Sequence, residues 1–349
     1  MQLDIFDFIE VEYYTTKKPI RLIELFGGYG SQYMALKRLG ANVESYRLVE
    51  FDINAVRSFN AVHQTNYGVL DIRNVKGSDL GVVDTHKYEY IMTYSFPCQD
   101  LSIAGVGLGM KKGGGTRSGL LWEVERLLSE MVELPQILLL ENVVEVKNSN
   151  NIDDFNKWLD YLNCLGYRNH IMDLNGLDFN VPQDRVRTFV LSILSDKEYK
   201  FPKPLKRTKT LIDVLENKVD IKYHLTPKMF YGTFINHKER IHWLVRSVNR
   251  KDYSSTITTK MDRGESQYIS VPFELEWSVE QIDNIIDNGG WVRKLTPREC
   301  GRLMGVDDSD IDKILSVNTM TNAYKQFGNS IIVDVMVEIF RGVVEWKKE

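Results

Sequence analysis

The chain has 349 residues, 43% of them hydrophobic, enough for one large core and a smaller lobe. Its 44 Lys and Arg against 48 Asp and Glu leave a net charge of −4, and three cysteines without paired spacing argue against a disulfide scaffold and for a reducing compartment. The run Met1-Gln2-Leu3-Asp4-Ile5-Phe6-Asp7 carries acids where a secretory signal carries positive charge, and no apolar run approaches the roughly 18 residues of a membrane span, so a soluble cytoplasmic protein with no membrane partner is expected.

Residues 20–26 form an apolar run that predicts a strand. The turn Gly27-Gly28-Tyr29-Gly30-Ser31 follows, then a helix through Tyr33, Met34, Leu36, Lys37 and Leu39 that stops at Gly40. Residues 43–49 predict a second strand closing on Glu50, and a helix through Ala55, Val56 and Phe59 comes next. A short strand is expected over 67–70, ending at Asp71. Tyr90-Ile91-Met92-Thr93-Tyr94 reads as a buried strand that leads into Ser95-Phe96-Pro97-Cys98-Gln99, and the wholly apolar 137–140 ends in Glu141-Asn142. Residues 155–165 are amphipathic. Short apolar runs separated by helices imply βαβ units, hence an α/β fold with a mostly parallel sheet buried on both faces.

Open α/β sheets place their chemistry at the carboxyl ends of parallel strands, and Cys98 falls at such an end. Pro97 fixes its own φ and pushes Phe96 toward an extended backbone, so the sulfur is aimed in one direction. A thiol has a pKa of about 8.5 and reacts only where positive or hydrogen-bonding neighbours favour the thiolate. Cys164 and Cys300 are read instead as small buried hydrophobes. The glycine turn lets backbone approach a ligand, and Glu50, some 20 residues further on, is placed to accept from ribose hydroxyls. The third glycine of the dinucleotide fingerprint would fall at Tyr33, which disfavours NAD. A nucleoside cofactor without a pyrophosphate fits better, and S-adenosylmethionine is the common one.

Charge is unevenly spread. Residues 197–263 hold 16 Lys or Arg against 7 Asp or Glu, a local +9 that leaves −13 for the rest. Such asymmetry is an electrostatic footprint for nucleic acid. The basic stretch suggests a division into a first catalytic part over 1–194, a recognition domain over 195–290 and a return to the catalytic domain over 291–349.

Six blocks recur in a known order: Phe26-Gly27-Gly28-Tyr29-Gly30, Phe96-Pro97-Cys98-Gln99, Glu141-Asn142-Val143, Gln183-Asp184-Arg185-Val186-Arg187, Arg293-Lys294-Leu295-Thr296-Pro297-Arg298-Glu299-Cys300 and Gln326-Phe327-Gly328-Asn329-Ser330. In these the chain resembles the DNA (cytosine-5) methyltransferase family, of bacterial or phage type, over nearly its whole length. The resemblance implies a Rossmann-like class I S-adenosylmethionine-dependent methyltransferase fold with a smaller target-recognition domain. It implies methyl transfer to C5 of a flipped-out cytosine in double-stranded DNA, with S-adenosylhomocysteine as product, no metal, a monomer, and a cognate restriction endonuclease as a companion.

By the same resemblance Cys98 is the nucleophile that adds to C6, Glu141 the carboxyl that protonates or shares a proton with N3, Arg187 a holder of base and carboxylate, and Arg185 a supporting residue. The cofactor set is Phe26, Gly28, Gly30, Glu50, Phe51, Asp71, Ile72, Pro97 and Leu120, with Asn329 and Ser330 at the start of the final helix folding back beside the first strand. Expected at DNA are Gln99, Ser102, Arg117, Gln183, Arg250, Thr256, Thr258, Lys260 and Arg263. The glycine-rich stretch 102–118 reads as a lid and Ser254-Ser255-Thr256-Ile257-Thr258-Thr259-Lys260 as the threonine-rich recognition element. Ser31 and Ser95 stand where the family often has glycine. The rival readings are an RNA cytosine-5 methyltransferase of the same fold, a catalytically silent DNA-binding homologue, and a Cys-His hydrolase, which no histidine motif supports.

Overall fold

Alternation along the first strand, β1 (Ile20–Leu25), builds a core on both sides of one sheet. Ile20 and Leu22 face a layer containing Met34, Ala35, Leu191 and Phe340, whereas Ile23 and Leu25 face a layer with Met92, Leu127, Trp158 and Leu162. The structure, a computed structural model, describes residues 11–97, 118–225, 252–262, 268–270 and 292–344.

After β1 come α1 (Ser31–Arg38), β2 (Val43–Val49), α2 (Ile53–His63), β3 (Glu89–Tyr94), α3 (Leu121–Glu130), β4 (Ile137–Asn142), α4 (Ile152–Cys164) and β5 (Arg168–Asn175). Then follow β6 (Gln183–Asp184), β7 (Val186–Ile193), β8 (Ser254–Ser255), β9 (Tyr268–Ser270), β10 (Val292–Lys294), α5 (Pro297–Leu303), α6 (Asp308–Ser316), α7 (Met320–Asn329) and α8 (Val333–Arg341). The main sheet runs β2-β1-β3-β4-β7-β5. Its β2-β1, β1-β3 and β3-β4 pairs are parallel, while β7 lies antiparallel to both β4 and β5. The sheet is therefore mostly parallel, as the sequence implies, with one reversed strand. That reversal matters for chemistry: it brings the beginning of β7 to the edge where β1 to β4 end, pairing Thr188 with Asn142.

Residues 67–70 do not form the expected strand. Gly68 interrupts the run, Val69 and Leu70 are exposed, and the segment is held by the Asn60 side chain at Tyr67 and by a bond from Leu70 N–H to the Glu50 carbonyl. Cys300 is buried as expected, but Cys164 is exposed. The buried stripe of α4 is Phe155, Trp158 and Leu162, and at 100° per residue position 164 falls on the opposite side of the helix from Phe155.

The block from Arg293 to Cys300 is structural. Thr296 and Glu299 form a capping box at the start of α5, with Pro297 in the first turn. Glu299, fully buried, also receives two guanidinium bonds from Arg293, at 2.8 and 2.7 Å, and the N–H of Glu216 at 2.8 Å. Removing one partner of a buried pair leaves an uncompensated charge, so Glu299→Ala is expected to cost about 3–5 kcal/mol in denaturant unfolding. A loss below about 1 kcal/mol would mean that Arg293 finds water instead.

Candidate active site

The first strand ends in a strained turn. Phe26 has φ +58°, Gly28 +58° and Gly30 +84°, so left-handed backbone recurs at alternate positions. Phe26 N–H bonds the Val49 carbonyl at 2.8 Å, tying the turn to the end of β2. A Cβ at Gly28 would meet nothing within 4 Å, so this face of the turn is open. Beneath it the buried Glu50 carboxylate accepts Gly28 N–H at 3.1 Å on one oxygen and Asp52 N–H at 2.8 Å on the other. Burial pushes the Glu50 carboxyl up, and these N–H groups pull it back. Each carboxylate oxygen keeps a lone pair for a further donor.

Around Glu50 sits apolar surface that the fold leaves uncovered: Phe51 is 61% exposed, and Ile53, Val69 and Leu70 are exposed as well. Ile72 is buried, and Asp71 caps the short turn after it while pairing with Arg73, whose hydrogen bonds hold the Asp71 carboxyl below its usual range. Leu120 is half-buried and opens α3.

Two side chains anchor the backbone that leads to Cys98. Asn142, at the end of β4, donates to the Phe96 carbonyl at 3.0 Å, and Ser118 Oγ donates to the Pro97 carbonyl at 2.8 Å. Next to Asn142 lies Glu141, 7% exposed, whose Oε1 is 3.4 Å from Arg187 Nε. Desolvation raises the Glu141 carboxyl, and Arg187, Arg185 and a hydrogen bond from Ser95 offset part of that rise. Cys98, Gln99, Ser102, Arg117, Arg250 and Arg263, and the 102–117 portion of the expected lid, lie outside the described residues.

Arg185 is buried and reaches three carbonyls: Ile257 at 3.0 Å, Gly328 at 3.0 Å and Ser330 at 2.8 Å. It thus joins the sheet edge to the threonine-rich run and to the C-terminal turn. Gln183, expected at DNA, is instead fully buried, its amide donating to the Leu303 carbonyl and accepting from Ile257 N–H. Thr256 donates to the Asp184 carbonyl, Thr258 accepts from Lys260 N–H, and Lys260 is exposed. Gly328 is required here, because a Cβ would come within 2.3 Å of the Thr258 backbone.

Asn329 and Ser330 are not at the start of the final described helix. Asn329 ends α7, and Ser330 caps it, because the chain turns extended before α8 resumes at Val333. Ser330 Oγ nevertheless lies 2.7 Å from Ser31 Oγ at the head of α1, beside the glycine turn. Among the described residues no group of three or more His, Cys, Asp or Glu is placed to hold a metal ion, and no helix is long and apolar enough to cross a membrane.

Two ionisable groups beneath the turn belong to no motif: His63 and Glu24. The one signal for Glu24 is an acid that alternation places on the same face of the strand as the apolar Ile20 and Leu22. It is fully buried on the α1 side of β1, in register with Thr93 of β3, whose hydroxyl has no hydrogen-bond partner. Desolvation pushes the Glu24 carboxyl up to about 8. A folded pKa above the unfolded value of 4.5 gives stability that is complete below that value and is lost as pH rises through about 8. Glu24→Gln should therefore flatten this decline, and thermal melts across that window should show the variant gaining on the parent by several kcal/mol. Parallel pH curves for the two proteins would contradict a proton held at Glu24.

The family model for C-5 cytosine-specific DNA methylase matches residues 20–345. The type II methyltransferase M2.ScrFI of Lactococcus lactis subsp. cremoris is 29% identical, covering 92% of this chain and 98% of that protein. The orphan methyltransferase M.SssI of Spiroplasma monobiae is 29% identical over 92% and 96%, and the type II methyltransferase M.HhaI of Haemophilus parahaemolyticus 28% over 91% and 92%. Among solved structures, the Entamoeba histolytica methyltransferase EhMeth superposes with a TM-score of 0.74 at 15% identity, covering 93% of this chain and 98% of that one. The S. pombe Dnmt2 methyltransferase gives 0.70 at 20%, covering 92% and 97%.

Proposed function

This chain belongs to the C-5 cytosine-specific DNA methylase family and is a DNA cytosine-5 methyltransferase, and from that premise we propose how its residues divide the work. Cytosine C5 is a poor nucleophile. Addition of the Cys98 thiolate to C6 makes the ring electron-rich and sends negative charge toward N3. Glu141 donates or shares a proton there, and Arg187 steadies the carboxyl and the base. The observation that carries the reading is that Glu141 is buried against Arg187 beside the two anchored carbonyls that precede Cys98. A desolvated carboxyl keeps its proton more readily at neutral pH, which suits a donor. After methyl transfer, a water molecule takes the C5 proton, the C5–H electrons re-form the C5=C6 double bond, and the C6–S bond breaks to release the Cys98 thiolate.

S-adenosylmethionine, when bound, supplies the methyl group that the activated C5 takes up. The residues present fit it: Gly28 leaves the turn open, Glu50 has lone pairs left for ribose hydroxyls, and Phe51 offers an exposed ring to a purine. Phe26, Gly30, Ile72, Pro97 and Leu120 would line the same pocket, Asp71 would meet the adenine amino group, and Asn329 and Ser330 would close it from the C-terminal side.

A cytosine inside a duplex is out of reach, so it must be extruded, at a cost of a few kcal/mol. We assign residues 195–290 to target recognition, because the basic excess lies there and its threonine-rich run is clamped to the catalytic edge by Arg185 and Gln183. Lys260 is exposed in that run, a position from which its ammonium can meet phosphate. Gln99, Ser102, Arg117, Thr256, Thr258, Arg250 and Arg263 join it by their place in the sequence.

Bisulfite sequencing of DNA from cells expressing the protein should show cytosine methylation at one sequence context, and Cys98→Ala should abolish it while DNA binding persists. Glu141→Gln should slow turnover by about 10² to 10⁴. Normal methylation by Cys98→Ala, or transfer to tRNA in place of DNA, would overturn the assignment.

A further inference from the structure

His63, the last residue of α2, is wedged under the glycine turn. Its Nε2 lies 3.0 Å from the Tyr29 carbonyl and its Nδ1 lies 3.1 Å from Lys37 Nζ on α1. An ammonium only donates, so Nδ1 must accept, and the ring hydrogen is left on Nε2, donated to Tyr29. The ring is fixed from two more sides, by Phe59 at 4.6 Å and Tyr33 at 5.0 Å between centroids, both edge-on. Contact with the turn is close enough to dictate its sequence: a Cβ at Gly30 would lie 2.4 Å from His63 Nε2 and 2.7 Å from the Phe59 ring.

We propose that His63, oriented by Lys37, is a positioning residue for the S-adenosylmethionine pocket, holding the Gly28-Tyr29-Gly30 turn in the left-handed shape that leaves its face open. The inference rests on the assignment of that turn to the cofactor. Left-handed backbone at Phe26 is costly and persists only where surroundings over-determine it, whereas Gly28 and Gly30 enter it without strain but, lacking side chains, depend on outside contacts to be held there. Gly28 is held from one side by Glu50, and Tyr29 from the other by His63. Tyr29 itself is buried against Phe327 of α7, at 5.8 Å between rings, so its carbonyl cannot turn toward His63 independently of the turn. The described contacts of His63 are with Tyr29, Lys37, Phe59 and Tyr33 and not with Glu141 or Arg187, so its loss should act on cofactor affinity and leave the chemical step alone.

The test is calorimetric titration of S-adenosylhomocysteine together with steady-state kinetics for the parent, His63→Leu, His63→Gln and Lys37→Met. His63→Leu should weaken binding and raise the cofactor KM by about tenfold, the worth of one such hydrogen bond with its acceptor stranded, with kcat nearly unchanged. His63→Gln, which can still donate to Tyr29, should recover most of the affinity, and Lys37→Met should fall between. Should His63→Leu fail to fold, Lys37→Met and His63→Gln decide the matter, since a Lys37→Met protein with parental affinity would overturn the proposal. Equal affinity across all variants, or a fall in kcat without a change in KM, would also overturn it. A parent that binds no S-adenosylhomocysteine would instead refute the cofactor assignment itself.

Discussion

One buried guanidinium holds the catalytic edge together. Arg185 bonds carbonyls at positions 257, 328 and 330, segments that the chain separates by more than seventy residues on one side and by more than one hundred and forty on the other. Only a rigid, planar fork of donors can serve three acceptors in fixed directions; a lysine in its place would offer one mobile point charge. The consequence is that the threonine-rich run, the turn at Ser330 and the start of β7 share one anchor. Ser330 in turn touches Ser31 at the head of α1, so an element assigned to DNA and an element assigned to the methyl donor are three hydrogen bonds apart.

The same edge shows how environment separates the roles of similar groups. Glu24, Glu50 and Glu141 all stand at or near the carboxyl ends of parallel strands, and burial raises all three. Compensation differs. Glu50 receives two backbone N–H groups, which favour the charged, accepting form suited to hydroxyl ligands. Glu141 has a guanidinium at 3.4 Å with a second beyond it, a balance suited to passing a proton. Neither carboxyl oxygen of Glu24 has a hydrogen-bond partner and burial raises it to about 8, which suits a neutral group inside the sheet.

Much of this is written in the sequence because βαβ units announce themselves. A short apolar run that ends in a polar residue marks the carboxyl end of a buried strand, and Glu50, Cys98 and Glu141 all carry that mark. Gly28 and Gly30 were legible as a turn for the same reason, and both have positive φ. What escaped depends on tertiary contact. The reversed β7 leaves no local trace, since an apolar strand reads alike in either direction. Residues 67–70 look like a strand but find one backbone partner, and Cys164 looks buried until the stripe of α4 is counted around the helix. Gln183 and His63 act on backbone carbonyls and amides far away in sequence, which no spacing rule can show.

The proposed methyl transfer depends on a bond between sulfur and the pyrimidine ring. Replacing the target cytosine by 5-fluorocytosine removes the proton whose loss would release the enzyme, so incubation with S-adenosylmethionine should leave the protein covalently joined to the oligonucleotide. Mass spectrometry of the digested complex should place the adduct on Cys98. Turnover of ordinary DNA by a preparation that never forms this adduct, or an adduct on any other residue, would contradict the mechanism.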